Sequence, residues 1–207
     1  MNSQETAGPA AAVTRSSPEI YFCHSTSGAI DPAAPRPRGL FPGSFNPLHE
    51  GHRQLRTVAE QRLQMAVHFE LSTANVDKPD LDPAEVARRL RQFVGVAPIW
   101  VTRAARFIEK AMLFPGCTFV LGYDTAIRLV DQRYYHSDEK TRDQALTRLL
   151  ELECRVLVAG RLGADGRFQC WEQAGVAPRF QPLFLTLTEE EFRADISSTE
   201  LRRGKSG

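Results

Sequence analysis

The run GLFPGSFNPLHEGH, Gly39 to His52, gathers three glycines, two prolines and two histidines into one short stretch. An apolar segment passes into Gly43 and Ser44, then Phe45, Asn46 and Pro47, and then His49 and His52 on either side of Gly51. A glycine closing a strand lets phosphate oxygens reach backbone N–H groups. Pro47 fixes the backbone for helix entry, and the first N–H groups of a helix, which lack intrahelical acceptors, face an anion. Spaced i and i+3, the two imidazoles share one face of the first turn. There they can donate hydrogen bonds to phosphate oxygens as charge builds in a displacement at phosphorus, while Gly51 leaves room for a base or sugar. A lone H-x-G-H would equally suit a strand-turn-helix corner with two solvent-facing histidines. The full G-S-F-N-P-x-H-x-G-H, set between a strand and a helix, favours nucleotide binding.

A second segment, ADISSTELRRGK, places Ser197, Ser198 and Thr199 ahead of Arg202 and Arg203. Serine or threonine at a helix entrance leaves N–H groups and hydroxyls for an anion, and Arg202 can return to the same phosphate as a bidentate donor. Plain capping of a C-terminal helix by Ser198 or Thr199 would use the same residues.

With both segments in view, the chain resembles the nucleotidylyltransferase superfamily, whose signatures are a first-strand GxFxPxHxGH and a later ISSTxxR, matched by Ile196 to Arg202. The resemblance implies binding of a nucleoside triphosphate and transfer of its nucleotidyl group to a phosphate by direct in-line attack. Pyrophosphate leaves, and no covalent intermediate forms. It implies that His49 and His52 contact the triphosphate, His52 mattering more at the transition state, with Gly43, Ser44, Phe45, Asn46 and Gly51 around the nucleotide. Ser197, Ser198, Thr199 and Arg202 would hold the β and γ phosphates. Magnesium would ride on the phosphates and water, which asks for no cluster of acidic ligands.

Class I aminoacyl-tRNA synthetases share a related H-x-G-H, but their lysine-rich loop is missing and the chain is too short for tRNA-binding appendages. Within the transferases, LGYD with Gly122 and Asp124 is similar to a G-x-D turn of nicotinamide or nicotinate mononucleotide adenylyltransferases, which implies ATP and nicotinamide mononucleotide as substrates and NAD as product. Asp124 would serve equally as a cap of the following helix. Lys78, in an exposed DKPD turn, suits either an acceptor phosphate or solvent. Trp100 and Arg103 follow the third strand, where that family stacks its nicotinamide ring, and Arg161 ends a VLVAGR segment similar to one of theirs. A phosphopantetheine adenylyltransferase, a cytidylyltransferase of a phospho-alcohol, and a nucleotide-binding module or slow ATP hydrolase are the alternatives.

The elements that must position these residues follow from the pattern. From Leu40 onward, short apolar runs alternate with amphipathic segments, as in a parallel sheet covered by helices. Strands are expected at Gly39 to Pro42, Ala66 to Leu71, Ile99 to Val101, Thr118 to Gly122, Arg155 to Ala159 and Pro182 to Leu187. Helices are expected at His49 to Leu63, Pro83 to Val94, Ala105 to Phe114, Thr125 to Val130 and Asp138 to Leu152. The fold class is α/β: a doubly wound open parallel sheet, Rossmann-like, in one domain over residues 38–207. Ligands should bind beyond the carboxyl ends of its strands, where strand order reverses. Arg161 to Gly175 reads as a polar hairpin or insertion with Trp171 needing cover. Residues 1–37, rich in Ala, Pro, Ser and Thr, read as a largely flexible segment, with EIYFC as a docked patch or edge strand.

At 207 residues with 42% apolar and 25% charged side chains, the chain has the composition of a globular protein. Its formal net charge of +1, from 26 basic and 25 acidic residues, argues against a nucleic-acid or membrane partner and makes phosphate recognition local. Four widely spaced cysteines without a metal-ligand pattern suit reduced thiols. With no secretory signal and no apolar run of spanning length, a cytoplasmic location is expected. The partners are ATP and a small phosphate-bearing acceptor, and a homo-oligomer is compatible with the sequence.

Overall fold

The computed structural model describes residues 18–76, 79–135, 137–163, 166–171 and 176–193. Its strands are β1 (Glu19–His24), β2 (Gly39–Pro42), β3 (Val67–Ser72), β4 (Ile99–Arg103), β5 (Thr118–Gly122), β6 (Arg155–Ala159), β7 (Arg161–Leu162), β8 (Phe168–Gln169) and β9 (Phe184–Leu187). Its α-helices are α1 (Glu50–Leu63), α2 (Pro83–Leu90), α3 (Phe107–Leu113), α4 (Tyr123–Val130) and α5 (Glu139–Glu151). The main sheet runs β1-β4-β3-β2-β5-β6-β9, parallel throughout except for β1. This is the Rossmann-like α/β fold that the alternating pattern predicts, in one domain.

Because in-register residues of parallel strands share a face, the apolar runs sort into two layers. Leu40, Trp100, Phe119, Leu121 and Val156 pack with Ala111, Ala126, Leu146 and Leu149 beneath α3, α4 and α5. Phe41, Phe69, Val101, Val120 and Leu157 pack with Leu55, Ala59, Val86, Leu90 and Phe93 beneath α1 and α2. The inner strands β2 to β6 are therefore covered on both sides, which is why they read as nearly continuous apolar runs.

The sheet winds outward in two directions from its centre. Strands β2, β3 and β4 succeed one another on one side and β5, β6 and β9 on the other, so strand order reverses between β2 and β5. Those two strands pair only through Gly39 with Thr118 and Leu40 with Phe119, whereas β2 stays paired with β3 as far as Pro42 with Glu70. Beyond Leu40 these two strands are no longer paired, and their carboxyl ends mark the switch point where a fold of this kind places its ligand crevice.

Local chemistry sets the helix limits. Asp82 accepts a 2.8 Å hydrogen bond from the Glu85 N–H and Pro83 occupies the first helical turn, so α2 starts where expected. It ends at Leu90 rather than Val94, giving way to a 3-10 turn over Arg91–Phe93. The tighter turn carries Phe93 into the aromatic cluster of Phe45 and Phe69. Helix α4 begins at Tyr123 rather than Thr125 because Gly122 is its N-cap.

Glu19–His24 adds β1 to the sheet edge, antiparallel to β4 and bulged between Ile20 and Phe22. Strands β7 and β8 form the expected hairpin, and Trp171 finds cover by stacking on Phe184 at 4.1 Å between ring centroids.

One cluster crosses the interior. Glu70 of β3, 0% exposed, accepts hydrogen bonds of 2.8 Å on each oxygen from Lys110 Nζ of α3 and one of 2.5 Å from the Thr102 hydroxyl of β4. Lys110 also donates to the Ala104 carbonyl at 2.7 Å, so the cation is fully engaged. The Ser72 hydroxyl accepts from the Ala104 N–H, and the Thr73 N–H donates to the Thr102 carbonyl. The carboxyl ends of β3 and β4 are thereby bound into one block beside the crevice.

Candidate active site

Past Pro42 the chain makes a compact loop, Gly43 to Leu48, before α1. The Gly43 N–H donates to the Glu70 carbonyl at 3.0 Å. Phe45 has φ 44, the left-handed region that a non-glycine residue enters only when its surroundings hold it there. Its ring supplies the hold. It is 1% exposed, 5.1–5.8 Å in edge contact from Phe41, His52, Phe69 and Phe93.

One sequence expectation is corrected by this packing. The space left by Gly43 is not open to a phosphate: a Cβ there would stand 2.6 Å from Phe45 Cζ, so the glycine makes room for the ring. The Phe45 ring belongs to the core, which leaves its backbone as the part that could face a nucleotide. Ser44 stays exposed, and Gly51 is buried in the first turn of α1.

His49 is the N-cap of α1 and His52 its third residue. The rings stack at 3.6 Å between centroids with 27° between their planes. The His49 backbone N–H donates a 3.2 Å hydrogen bond to His52 Nδ1. With Nδ1 engaged as an acceptor, the neutral imidazole carries its proton on Nε2, and among the described residues nothing accepts from that atom. Burial, reinforced by the neighbouring His49 ring, pushes His52 down to about 3. Burial lowers His49 as well. The pair is thus a set of neutral donors near pH 7. The first-turn N–H groups of α1 lie beside it, at the end of the helix that favours negative charge.

Helix α2 braces this loop, a contribution that sequence reasoning missed. Arg89 Nη1 donates to the Ser44 carbonyl at 2.8 Å, Arg88 Nη2 to Asn46 Oδ1 at 2.6 Å, and Gln92 Nε2 to the Phe45 carbonyl at 3.0 Å. Gln92 Oε1 accepts from the Leu48 N–H at 2.8 Å. Glu85 pairs with both arginines, which hold its carboxyl well below the usual carboxylate range. The signal lies in PAEVARRLRQF, opposite the apolar stripe: Glu85, Arg88 and Arg89 on the polar side of the helix and Gln92 on the turn after it.

Across the crevice, Gly122 ends β5 level with Ala159 of β6. A Cβ on Gly122 would meet nothing within 4 Å. Two residues further along each chain stand Asp124 and Arg161, joined by an ion pair between Oδ2 and Nη1. Asp124 is in the first turn of α4, whose N-cap is Gly122, so it is not the cap.

Trp100 is a further correction. It is 4% exposed and lies in the layer beneath α3 and α5, where Nε1 donates to His68 Nδ1 at 3.0 Å and the ring meets Phe114 edge-on. As the second residue of β4 it faces the core rather than any cleft. Arg103, at the end of β4, pairs with Asp80 at 2.8 Å and lines a groove of about 640 Å³ between β1 and α2. Ala87 and Leu90 of α2 line the same groove, so α2 stands between Arg103 and the histidine loop. Lys78, Ser197, Ser198, Thr199 and Arg202 lie outside the described residues.

Topology therefore sets the Ser44–His52 loop and helix start after β2, and Gly122, Asp124 and Arg161 at and just past the ends of β5 and β6, all at the carboxyl end of the sheet. Donors of hydrogen bonds to anionic oxygen after one central strand, and a polar, partly exposed pair of opposite charges after its neighbours, suit a phosphorylated ligand at that end. Among the described residues no group of three or more His, Cys, Asp or Glu side chains is arranged to hold a metal ion, and no helix is long and apolar enough to cross a membrane.

A family model described as cytidylyltransferase-like matches residues 40–204. No curated protein matches the chain.

Proposed function

The chain belongs to the cytidylyltransferase-like family of nucleotidyltransferases, and from that premise we propose that it transfers AMP from ATP to nicotinamide mononucleotide, forming NAD and pyrophosphate. What supports the reading is the neutral His52, with its proton on Nε2, in the first turn of α1 beside the opening between β2 and β5. In this reading the triphosphate lies against the first turn of α1. His52 and His49 donate to phosphate oxygens as charge develops in the in-line displacement. The acceptor phosphate attacks the α phosphorus, the bond to the β-bridging oxygen breaks, and pyrophosphate carries the electron pair away.

Asp124 and Arg161 provide an acidic and a cationic group for the nucleotides on the far side of the crevice, with Gly122 leaving the backbone open there. Ser197, Ser198, Thr199 and Arg202 are assigned to the leaving pyrophosphate on the strength of the ISSTxxR segment. The donors around the loop are neutral imidazole and backbone N–H groups, with no carboxylate among them, which fits a magnesium ion delivered on phosphate oxygens and water rather than caged by protein. When bound, that ion neutralises charge on the leaving group.

The family's description favours a second reading, in which CTP donates CMP to a phospho-alcohol. Chromatography of mixtures of ATP or CTP with nicotinamide mononucleotide, phosphopantetheine or a phospho-alcohol separates the two. A dinucleotide from ATP and nicotinamide mononucleotide supports the first. Product from CTP and a phospho-alcohol alone moves the assignment to the second. A triphosphate that raises the unfolding temperature yet yields no product with any acceptor points to a binding module.

A further inference from the structure

Among the described residues, the side chains that hold the Ser44–Leu48 loop from outside come from one helix and the turn that follows it. Ser44 and Phe45 offer carbonyls, Leu48 an N–H and Asn46 a side-chain oxygen, and Arg89, Gln92 and Arg88 meet them across 42 to 47 residues of chain. Gln92 is unlike the arginines because its amide works in both directions. It donates to the Phe45 carbonyl and accepts from the Leu48 N–H, bridging the loop as a second peptide group would.

The two bridged residues are the ones on which the site's geometry depends. Phe45 is held at φ 44. Leu48 immediately precedes His49, whose own N–H is taken by His52 Nδ1. Two consecutive N–H groups, those of Leu48 and His49, are thus committed to Gln92 and His52, and together they fix both the direction in which α1 starts and the tautomer of His52.

We propose that Gln92 is a positioning residue for nucleotidyl transfer: it sets the loop so that the α1 N-terminus and His52 Nε2–H are prearranged for the phosphates. This rests on the nucleotidyltransfer reading above. Gln92 touches no substrate in this arrangement and acts through Phe45 and Leu48.

The experiment compares Gln92→Ala and Gln92→Glu with the wild type for pyrophosphate release, using the full chain, ATP and nicotinamide mononucleotide, with CTP and phospho-alcohol as a parallel pair. Unfolding temperatures are measured under each condition. Gln92→Ala removes both bonds to the loop and should lower kcat on the order of 10-fold to 100-fold, as a misplacement of about 1 Å can, with a smaller change in KM for the triphosphate. Gln92→Glu keeps the acceptor for Leu48 but turns a carboxylate oxygen toward the Phe45 carbonyl, so it should be equally slow at pH 8.

Protonation of the introduced carboxyl restores a donor. The activity of Gln92→Glu relative to wild type should therefore climb as pH falls toward a carboxyl's usual range near about 4.3. Wild type has no such limb from His52, which stays neutral down to about 3. A role in stability alone would move the unfolding temperature without producing this pH-dependent rescue of kcat. If Gln92→Ala does not fold, the rescue in Gln92→Glu decides the matter. An active wild type with both variants at wild-type kcat, or with Gln92→Glu equally impaired at every pH, overturns the positioning role alone. A wild type that turns over with neither substrate pair overturns the nucleotidyltransfer reading, and the positioning role with it.

Discussion

The His49 main-chain N–H points at His52 Nδ1, 3.2 Å away, while the two rings lie stacked with centroids 3.6 Å apart. One imidazole thereby caps the helix that carries it, and the hydrogen bond decides which of its nitrogens holds the proton. Protonating His52 would break that bond and bring a cation against the second ring in a partly dehydrated place. Burial lowers both histidines from their ordinary range, and the His49 ring adds to the lowering of His52.

A pH dependence follows from that displacement. In the folded chain His52 stays neutral until about 3, whereas in the unfolded chain it takes up a proton near pH 6.5. Between those values the unfolded state binds the extra proton, so stability falls as pH is lowered through 6.5 toward 3. Unfolding temperatures from pH 8 to pH 5 should decline in wild type and decline less in His52→Asn. Equal slopes would show that His52 is not buried neutral.

Gly43→Ala tests the loop. A Cβ 2.6 Å from the Phe45 ring cannot be accommodated without moving a ring packed on all sides. The variant should lose roughly 1–3 kcal/mol of stability, the range for overpacked cores, measured by urea unfolding in the absence of nucleotide. If Gly43 served only to admit phosphate, stability would be untouched and triphosphate affinity alone would fall.

The buried pair of Glu70 and Lys110 yields a third outcome. Lys110→Met leaves a carboxylate in the interior with the Thr102 hydroxyl as its remaining side-chain donor, and removing one partner of such a pair costs about 3–5 kcal/mol. Replacing both, as Glu70→Gln with Lys110→Met, should recover part of that loss. A double variant whose loss equals the sum of the losses of Glu70→Gln and Lys110→Met measured singly would mean that the two side chains are not energetically coupled.

Asp124 and Arg161 should behave in the opposite way. Their ion pair is solvent-exposed, and exposed pairs contribute about 0–1 kcal/mol. Arg161→Ala should leave the unfolding temperature within about a degree while raising KM for a nucleotide substrate. Unchanged KM values for both substrates would remove Arg161 from the site.

The sheet and its helices were legible because a strand buried on two faces must be apolar along its length, as in FVLG before Tyr123 and RVLVA before Gly160, and because Asp82-Pro83 announces a helix start. The histidine corner was legible too, since G-S-F-N-P-x-H-x-G-H joins turn chemistry to donors within a few residues. What escaped the sequence were relations between distant residues. Gly43 and Phe45 fit the pattern of a phosphate turn and of a hydrophobic core equally well, and only three-dimensional packing decides that the ring fills the glycine's space. Trp100 lies close in sequence to the end of β4, yet strand alternation turns it inward. Glu70 with Lys110, and Gln92 with Phe45 and Leu48, are pairings across 40 or more residues that no local spacing reveals.

The central claim concerns His52, and its most direct test is single-turnover pyrophosphate release by wild type and His52→Ala, each saturated with ATP and nicotinamide mononucleotide and checked for unaltered fold. Loss of a donor that acts at the transition state predicts a rate lower by roughly 10²-fold or more. A His52→Ala rate equal to that of wild type would contradict the account.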